Sequence, residues 1–341
     1  MRNKKTIIIA EAGVNHNQDI RIAYKLIRAA KKSGADYIKF QTFVSKNLTT
    51  KHAKLANYQE KNIKKSITQQ SMLKKLELPY SWHLKLINYS QKIGIKFLST
   101  PFDIESVIFL QKFNLDFIKI PSGEITNLLY LKFIGKLNKR IVLSTGMSSL
   151  LDIKKALKVL IQSGTYKKNI TILHCHTDYP SKFTDLNLRA INTIKNYFKV
   201  NVGYSDHSTG IEAPIAAVAM GSSIIEKHFT LDRKMKGPDH KASLLPEELS
   251  LMISSIRNIE KALGDGIKKA TKNESKNIIA ARKSIIAKNS IQKGERFTYK
   301  NLEIKRPGSG ISPMNIEKII GQKSKFKYSI DQLINKKEIS S

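Results

Sequence analysis

The sequence contains a single cysteine, Cys175, which excludes an intramolecular disulfide framework and is typical of a protein from a reducing compartment. It also lacks any apolar run of membrane-spanning length. The opening letters MRNKKTIIIAEAGVNH lead straight into a predicted strand and do not have the pattern of a signal peptide. We therefore expect a cytoplasmic protein with no membrane partner.

Acidic residues are scarce relative to basic ones: 27 Asp and Glu stand against 60 Lys and Arg, so the formal net charge is +33. The excess is mostly lysine and is spread along the whole chain. The sequence shows neither an arginine-rich reading head nor an aromatic stacking platform, the features typical of nucleic-acid recognition. We therefore expect no nucleic-acid partner, and only a general attraction of small anions.

The stretch of residues 201–240 carries the strongest functional signal. Two short apolar runs flank an alanine-rich apolar segment that is bounded by glycines, which predicts a strand–helix–strand unit with parallel strands. His207 and His228 follow those strands and therefore share one edge of the sheet, close to Asp206 and Asp239. Two imidazoles placed in this way suit a divalent metal that keeps open positions for water and substrate. The alternative is that each histidine caps its strand and bonds to backbone.

The same succession of apolar run, polar cluster and helical segment recurs from residue 6 to about residue 264. Eight such units match the roughly 250 residues of a (β/α)8 TIM barrel, and a doubly wound open sheet is the alternative. Residues 44–78 form a long, polar, lysine-rich excursion that we expect to lie over the site. We assign the barrel to residues 1–266, a polar linker to 267–280 and a small β-rich module to 281–341.

The predicted strand ends bring a set of polar side chains to one edge of the sheet. These strand-end residues are Glu11, Lys39, Gln41, Thr100, Lys119, Ser122, Glu124, Ser144, Thr145, Tyr179, Ser205, His207 and His228. Two lysines with several hydroxyls and nearby glycines predict a phosphate site. The alternative is that the lysines form ion pairs with Glu11 or Glu124. Glu124 beside a cationic pocket is a candidate for proton transfer or for orienting water, and we interpret Cys175 as a packing residue.

A series of motifs, in order along nearly the whole chain, resembles the bacterial sialic acid synthase family. The motifs are AEAGVNHN (10–17), KFQTF (39–43), LSTPFD (98–103), KIPSGEITNL (119–128), LSTGM (143–147), LHCHTDYP (173–180), GYSDHSTGI (203–211), EKHFTLD (226–232), GPDH (237–240) and KRPGSGIS (305–312). The resemblance implies a TIM barrel followed by an antifreeze-like (SAF, β-clip) domain. It also implies an enzyme that condenses phosphoenolpyruvate with an N-acetylated hexose.

The resemblance further implies a role for each matching residue. Those expected to bind phosphoenolpyruvate are Lys39, Thr100, Lys119, Ser122, Ser144 and Ser205, with Lys39, Lys119 and Glu124 as the catalytic set. His207 and His228 are expected to bind Mn²⁺ or Mg²⁺. Those expected to hold the sugar are Glu11, Gln41, Tyr179, Asp239 and Arg306. Thr177 stands where the family's best-studied members often carry Asn, and Asn62 is the candidate for the loop asparagine that closes on substrate.

The reaction expected from this resemblance is the condensation of phosphoenolpyruvate, N-acetylmannosamine and water to N-acetylneuraminate and phosphate by C–O cleavage. The main alternative is the same chemistry on 2,4-diacetamido-2,4,6-trideoxymannose, which gives N,N'-diacetyllegionaminate. Two more distant alternatives are a Schiff-base aldolase with Lys119 as its nucleophile and a carbohydrate- or ice-binding protein. The family also implies a domain-swapped homodimer, in which Arg306 of one subunit reaches the other subunit's barrel.

Overall fold

The structure is a computed structural model that describes residues 5–55, 60 and 67–339. The chain divides into two compact units, with the boundary between Asp265 and Gly266. Within the described ranges, none of the helices combines the length and the apolar character needed to cross a bilayer.

The first unit is built on eight parallel strands, each an apolar run that ends in polar residues. They are β1 (Ile7–Gly13), β2 (Tyr37–Thr42), β3 (Lys96–Pro101), β4 (Ile118–Ile120), β5 (Ile141–Ser144), β6 (Ile170–Cys175), β7 (Asn201–Asp206) and β8 (Ile224–His228). Their order is β3-β2-β1-β8-β7-β6-β5-β4, and the two end strands β3 and β4 lie beside one another, so the sheet is rolled into a barrel. The predicted (β/α)8 barrel is confirmed, and an open doubly wound sheet is not.

Helices connect the strands and cover the outside of the barrel. They are α1 (Ile20–Lys32), α2 (Ser45–Leu48), α3 (Gln69–Lys74), α4 (Tyr80–Ile93), α5 (Ile104–Leu110), α6 (Leu128–Lys136), α7 (Leu150–Gln162), α8 (Ala190–Phe198), α9 (Glu212–Ala219) and α10 (Pro246–Ala262). Local sequence explains their ends. The Asp19 carboxylate accepts a hydrogen bond from the Arg21 amide at the start of α1, and Gly94 takes a left-handed conformation after α4.

The lysine-rich excursion after β2 has a small apolar core of its own. Helices α2 and α3 lie in it, and Met72 is buried in a cluster with Val14 and Phe43. This part of the excursion is therefore packed against the end of β1 and the loop after β2. Asn62, the candidate for closing on substrate, lies outside the described residues.

Alternation along the strands separates two faces of the barrel wall. One face packs against the helices, and the other points to the barrel axis. The axial apolar layer consists of Ile9, Tyr37, Leu98, Phe117, Val142, Leu173 and Ile224. On β7 the corresponding residue is Gly203, where an added Cβ would stand 2.5 Å from both the Ile224 carbonyl oxygen and Leu173 Cδ2. Only glycine fits at this position. The layer fills the inside of the barrel below the polar ends of the strands.

The second unit is small and β-rich, as expected. It contains α11 (Lys272–Ala281) and two antiparallel strands, β9 (Ser284–Ala287) and β10 (Leu302–Lys305). Its core consists of Ile285, Ala287, Ile291, Phe297, Leu302, Ile311, Ile319, Tyr328 and Ile334. The stretch assigned to a polar linker, 267–280, holds most of α11. The helix starts there because Thr271 and Glu274 form a capping box, a signal that the polar composition concealed.

Candidate active site

One polar or sulfur-bearing side chain from each strand faces the barrel axis directly above the apolar layer. In strand order these are Glu11, Lys39, Thr100, Lys119, Ser144, Cys175, Ser205 and Glu226, each two residues beyond a position of that layer. Together with residues of the loops that follow, they line a cavity of about 150 Å³ at the carboxyl ends of the strands. This is the end of a TIM barrel at which active sites are found.

Most of the predicted site residues line this cavity. All six predicted phosphoenolpyruvate residues are there: Lys39, Thr100, Lys119, Ser122, Ser144 and Ser205. So are five residues predicted for the sugar or the metal: Glu11, Gln41, Tyr179, His207 and His228. The structure therefore brings together residues that lie up to 217 positions apart in the chain, from Glu11 to His228.

Glu226 is at the centre of the charge network in the cavity. Its carboxylate lies 3.4 Å from Lys119 Nζ and 3.5 Å from Lys39 Nζ, and it accepts a hydrogen bond from Ser205 Oγ at 2.9 Å. Burial alone would raise the pKa of Glu226, but the ammonium groups of Lys119 and Lys39 outweigh burial and hold that pKa low. Glu226 is therefore ionised and shared between the two lysines.

Lys39 is held on its other side by Glu11. The distance from Lys39 Nζ to Glu11 Oε2 is 2.6 Å, and Lys39 also donates a hydrogen bond to Thr100 Oγ1 at 2.6 Å. Burial raises the pKa of Glu11, and Lys39 offsets this only in part. Of the two carboxyl groups Glu11 and Glu226, Glu11 is thus the one that takes up a proton more easily. The expected alternative of an ion pair between a lysine and Glu11 describes these contacts.

Lys119, on β4, has fewer partners than Lys39, on β2. Its Nζ donates a hydrogen bond to Ser144 Oγ at 2.7 Å, and burial lowers its pKa although Glu226 opposes this shift. Nearby, Ser122 Oγ accepts a hydrogen bond from the Gly146 amide at 2.9 Å and lies 3.2 Å from Cys175 Sγ. These contacts fix the hydroxyl groups around the lysines before any ligand arrives.

The two histidines lie at the rim of the same cavity. Their ring centroids are 5.5 Å apart, and the ring of Tyr179 lies 4.2 Å from that of His207 and 5.9 Å from that of His228. Burial lowers the pKa of His207 to about 4 and the pKa of His228 well below its usual value, so both rings are neutral at pH 7. Neutral imidazole is the form that binds a metal.

The hydrogen bonding of these rings fits metal ligation. His207 Nδ1 bonds to the His176 carbonyl oxygen, which can only accept, so Nδ1 carries the proton and Nε2 keeps its lone pair. His228 Nδ1 is buried and has no hydrogen-bond partner among the described residues. In the described ranges no three His, Cys, Asp or Glu side chains form a group that could hold a metal. An ion here would therefore rest on the two histidines and on water or substrate oxygens.

The cavity lining lacks three of the predicted residues of the first unit, Glu124, Thr145 and Asp239. Thr145 Oγ1 instead donates a hydrogen bond to the Leu173 carbonyl oxygen at 2.9 Å. Glu124 lies in the turn after β4, is half-buried, and accepts a hydrogen bond from Asn127 Nδ2 at 2.7 Å. Asp239 is buried in the loop after β8, where burial raises its pKa to about 6. Arg306 belongs to the second unit and its Nε donates a hydrogen bond to the Ala281 carbonyl oxygen at 3.1 Å. Their predicted roles stay predictions.

The sequence-based prediction missed Glu226, although the necessary signal was present. His228 was assigned to the site, and residues two apart on a strand face the same side, so Glu226 had to face the cavity as well. Lys227 points to the other face. The cluster Glu226-Lys227-His228 thus contained one site residue that was recognised and one that was not.

Comparison with known proteins identifies the family. A family model described as the NeuB family matches residues 26–268, and one described as the SAF domain matches residues 282–339. A protein of Campylobacter jejuni subsp. jejuni serotype O:2 named N,N'-diacetyllegionaminic acid synthase is 54% identical over 97% of this chain and 99% of its own. A Legionella pneumophila protein of the same name is 42% identical over 93% of this chain and 89% of its own.

A solved structure agrees with these sequence matches. It is the N-acetylneuraminic acid (sialic acid) synthetase from Leptospira borgpetersenii serovar Hardjo-bovis in complex with citrate. This structure has a TM-score of 0.71 and 34% identity, and the match covers 81% of this chain and 91% of the other. Fold, motifs and both matched models lead to the same assignment: the chain belongs to the NeuB family and carries a C-terminal SAF domain.

Proposed function

We propose that this enzyme condenses phosphoenolpyruvate with 2,4-diacetamido-2,4,6-trideoxymannose and water to give N,N'-diacetyllegionaminate and phosphate. The choice of acceptor sugar rests on sequence identity. Two relatives named for this product are 54% and 42% identical to the chain, whereas the sialic acid synthetase of known structure is 34% identical. This favours the alternative acceptor considered from the sequence over N-acetylmannosamine.

The charges of the cavity support binding of phosphoenolpyruvate. Lys39 and Lys119 are buried cations at the ends of different strands, and the hydroxyls of Thr100 and Ser144 already contact their ammonium groups. An anionic phosphate placed between the lysines would replace part of their interaction with Glu226. Because the site is buried, each of these charge–charge contacts is stronger than it would be in water.

The proposed reaction forms two bonds and breaks one bond of phosphoenolpyruvate. C3 of phosphoenolpyruvate bonds to the aldehyde carbon of the open-chain sugar, and a water oxygen bonds to C2. The bond between C2 and the bridging oxygen then breaks as the water-derived oxygen becomes the C2 carbonyl oxygen. Of the two protons of the water, one leaves with phosphate and the other restores the carboxyl group that protonates the new sugar hydroxyl. Glu11, the more easily protonated carboxyl group of the cavity, can supply the proton that the new sugar hydroxyl requires.

His207 and His228 are the residues that would hold Mn²⁺ or Mg²⁺. When bound there, such an ion would polarise the aldehyde oxygen as a Lewis acid. Tyr179, with its ring against His207, and Gln41, which donates a hydrogen bond to Glu11 Oε1 at 3.3 Å, would contact the sugar beside the ion. Glu124 directly follows Ser122 and Gly123, which line the cavity, and its proposed role is to stabilise the charge that develops at C2.

The role proposed for Arg306 requires a second copy of the chain. Its guanidinium is exposed in the SAF domain, at a position fixed by the hydrogen bond to Ala281. A guanidinium on such a turn suits the carbonyl oxygen of an acetamido group. The proposal is a domain-swapped homodimer in which Arg306 serves the partner's barrel, together with Asp239 of that barrel.

A Schiff-base aldolase is the candidate of another reaction class, and one observation favours it: burial lowers the pKa of Lys119. The two reactions differ in where the bridging oxygen of phosphoenolpyruvate goes. With ¹⁸O in that position, C–O cleavage places the label in the released phosphate. Label retained in the sugar acid, or a borohydride-trapped adduct at Lys119, would contradict the proposed condensation.

A further inference from the structure

A buried ion pair lies on the outer face of the barrel wall, directly behind the two histidines. Asp206 on β7 and Lys227 on β8 form this pair, and both side chains are 0% exposed. The two residues are direct register partners across the parallel strands. Asp206 immediately precedes His207 and Lys227 immediately precedes His228, so the pair joins the two strands one residue before each histidine.

The same network also holds the backbone on the far side of His207. Asp206 Oδ1 accepts hydrogen bonds from the Ser208 amide at 3.0 Å and from Ser208 Oγ at 2.8 Å. Lys227 Nζ donates a hydrogen bond to the Ser208 carbonyl oxygen at 2.6 Å. Tyr204 OH donates a further hydrogen bond to Asp206 Oδ1 at 3.0 Å. The residues before and after His207 are therefore both tied to Lys227, which lies next to His228 in the chain.

Stability alone does not account for such a pair. Removing two charges from water costs several kcal/mol per ion, and apolar residues of similar volume often give equal or greater stability. What an apolar pair does not provide is direction, because hydrogen bonds fix distances and angles whereas apolar contacts tolerate sliding. We infer that Asp206 and Lys227 are positioning residues that set the separation and orientation of His207 and His228 for metal binding. This inference rests on the metal site of the proposed function.

The test measures metal affinity rather than turnover. Purified enzyme freed of metal is titrated with Mn²⁺ and free Mn²⁺ is followed by electron paramagnetic resonance, with thermal unfolding recorded for the same samples. Asp206→Leu/Lys227→Met removes both charges and should bind Mn²⁺ about 10- to 100-fold more weakly, the range typical of residues that orient metal ligands. No buried charge is left unpaired, but the Ser208 backbone and hydroxyl and Tyr204 OH lose their partners, so the unfolding temperature should fall. The loss of Mn²⁺ affinity is therefore compared with that of a control variant that also loses stability.

Arg257→Met serves as the matched control. Arg257 bonds to Asp36 at 3.0 Å and to the Thr6 carbonyl oxygen at 2.9 Å, so it holds the amino ends of the strands, at the opposite end of the barrel. This variant should lower the unfolding temperature and leave the Mn²⁺ affinity unchanged. A general loosening of the barrel would instead weaken Mn²⁺ binding in both variants in proportion to their loss of stability.

Ser208→Ala covers the case in which the double variant does not fold. It removes only the 2.8 Å hydrogen bond to Asp206 and should weaken Mn²⁺ binding severalfold. His228→Ala removes one of the two proposed metal ligands, so it shows the Mn²⁺ binding expected when the site is lost. If the wild type binds Mn²⁺ and the folded variants bind it within twofold of the wild type, the positioning role is wrong while the metal site stands. If the wild type and His228→Ala bind Mn²⁺ equally, the metal site itself is wrong, and the positioning role with it.

Discussion

Lys119→Met is the perturbation whose consequences the structure specifies most fully. Methionine keeps the length and the apolar stem of lysine but removes the ammonium group, which donates to Ser144 at 2.7 Å and lies 3.4 Å from Glu226. The variant therefore loses one of two buried cations proposed to bind the phosphate. The methionine stem keeps the volume of the buried lysine stem, so we expect the packing of the barrel wall to be retained.

The size of the effect follows from the contacts. A hydrogen bond to a charged group contributes about 1.5–3 kcal/mol, which corresponds to about 10- to 150-fold in the dissociation constant of phosphoenolpyruvate. Breaking a buried ion pair usually costs about 3–5 kcal/mol of folding free energy, but Glu226 keeps Lys39 at 3.5 Å and Ser205 at 2.9 Å, so a smaller loss is expected.

Isothermal titration with phosphoenolpyruvate measures the predicted change directly, and urea unfolding measures the stability. Lys96→Met is the control: Lys96 is also on a strand and pairs with Asp116 at 2.6 Å, but it is exposed and lies at the amino end of β3. Lys96→Met should bind phosphoenolpyruvate as the wild type does. A folded Lys119→Met protein with wild-type affinity would refute the assignment of Lys119 to the phosphate.

Two further predictions concern pH and assembly. The free energy of unfolding should fall as the pH is lowered from 6.5 toward 4, because burial lowers the pKa of four histidines to about 4 and the unfolded chain then binds protons that the folded chain does not. Each histidine removes about 1 kcal/mol between pH 6.5 and 5.5. The raised pKa values of Glu11 and Asp239 oppose this only in part, because they are two groups against four. A urea midpoint that rises on acidification would contradict the prediction. Arg306→Ala and Lys119→Ala homodimers should each be nearly inactive, whereas co-expressed mixed dimers should regain part of the activity, since one barrel is intact and is served by one intact Arg306. No recovery of activity in isolated mixed dimers would mean that Arg306 serves the barrel of its own subunit.

The barrel and most of the cavity could be predicted because both depend on short-range pattern. Each apolar run marked a strand, and the polar residue at its end had to lie at the common carboxyl edge. Lys39, Thr100, Lys119 and Ser144 were found in this way, from four different strands. The pattern also predicted that Lys39 could pair with Glu11, and the 2.6 Å contact agrees.

The rest could not be predicted because it depends on loops and on which partner a charge selects. Glu124 follows its strand by a turn of 3₁₀-helix, which carries it away from the cavity lining. Glu226 is shared by both lysines because side chains of β2, β4 and β8 meet inside the barrel, and the pattern along any one strand does not show which of them meet. Helix α11 is a different case: the sequence contains its capping box, Thr271 and Glu274, but the polar composition of the stretch led to its assignment as a linker.

The acceptor sugar provides the most direct test of the account. Release of phosphate from phosphoenolpyruvate is measured with 2,4-diacetamido-2,4,6-trideoxymannose and, separately, with N-acetylmannosamine, and kcat/KM is compared at saturating phosphoenolpyruvate and Mn²⁺. The account predicts a kcat/KM at least tenfold higher for the diacetamido sugar, with N,N'-diacetyllegionaminate as the product. An equal or higher value for N-acetylmannosamine would contradict the proposed function, and no phosphate release with either sugar would contradict the proposed reaction.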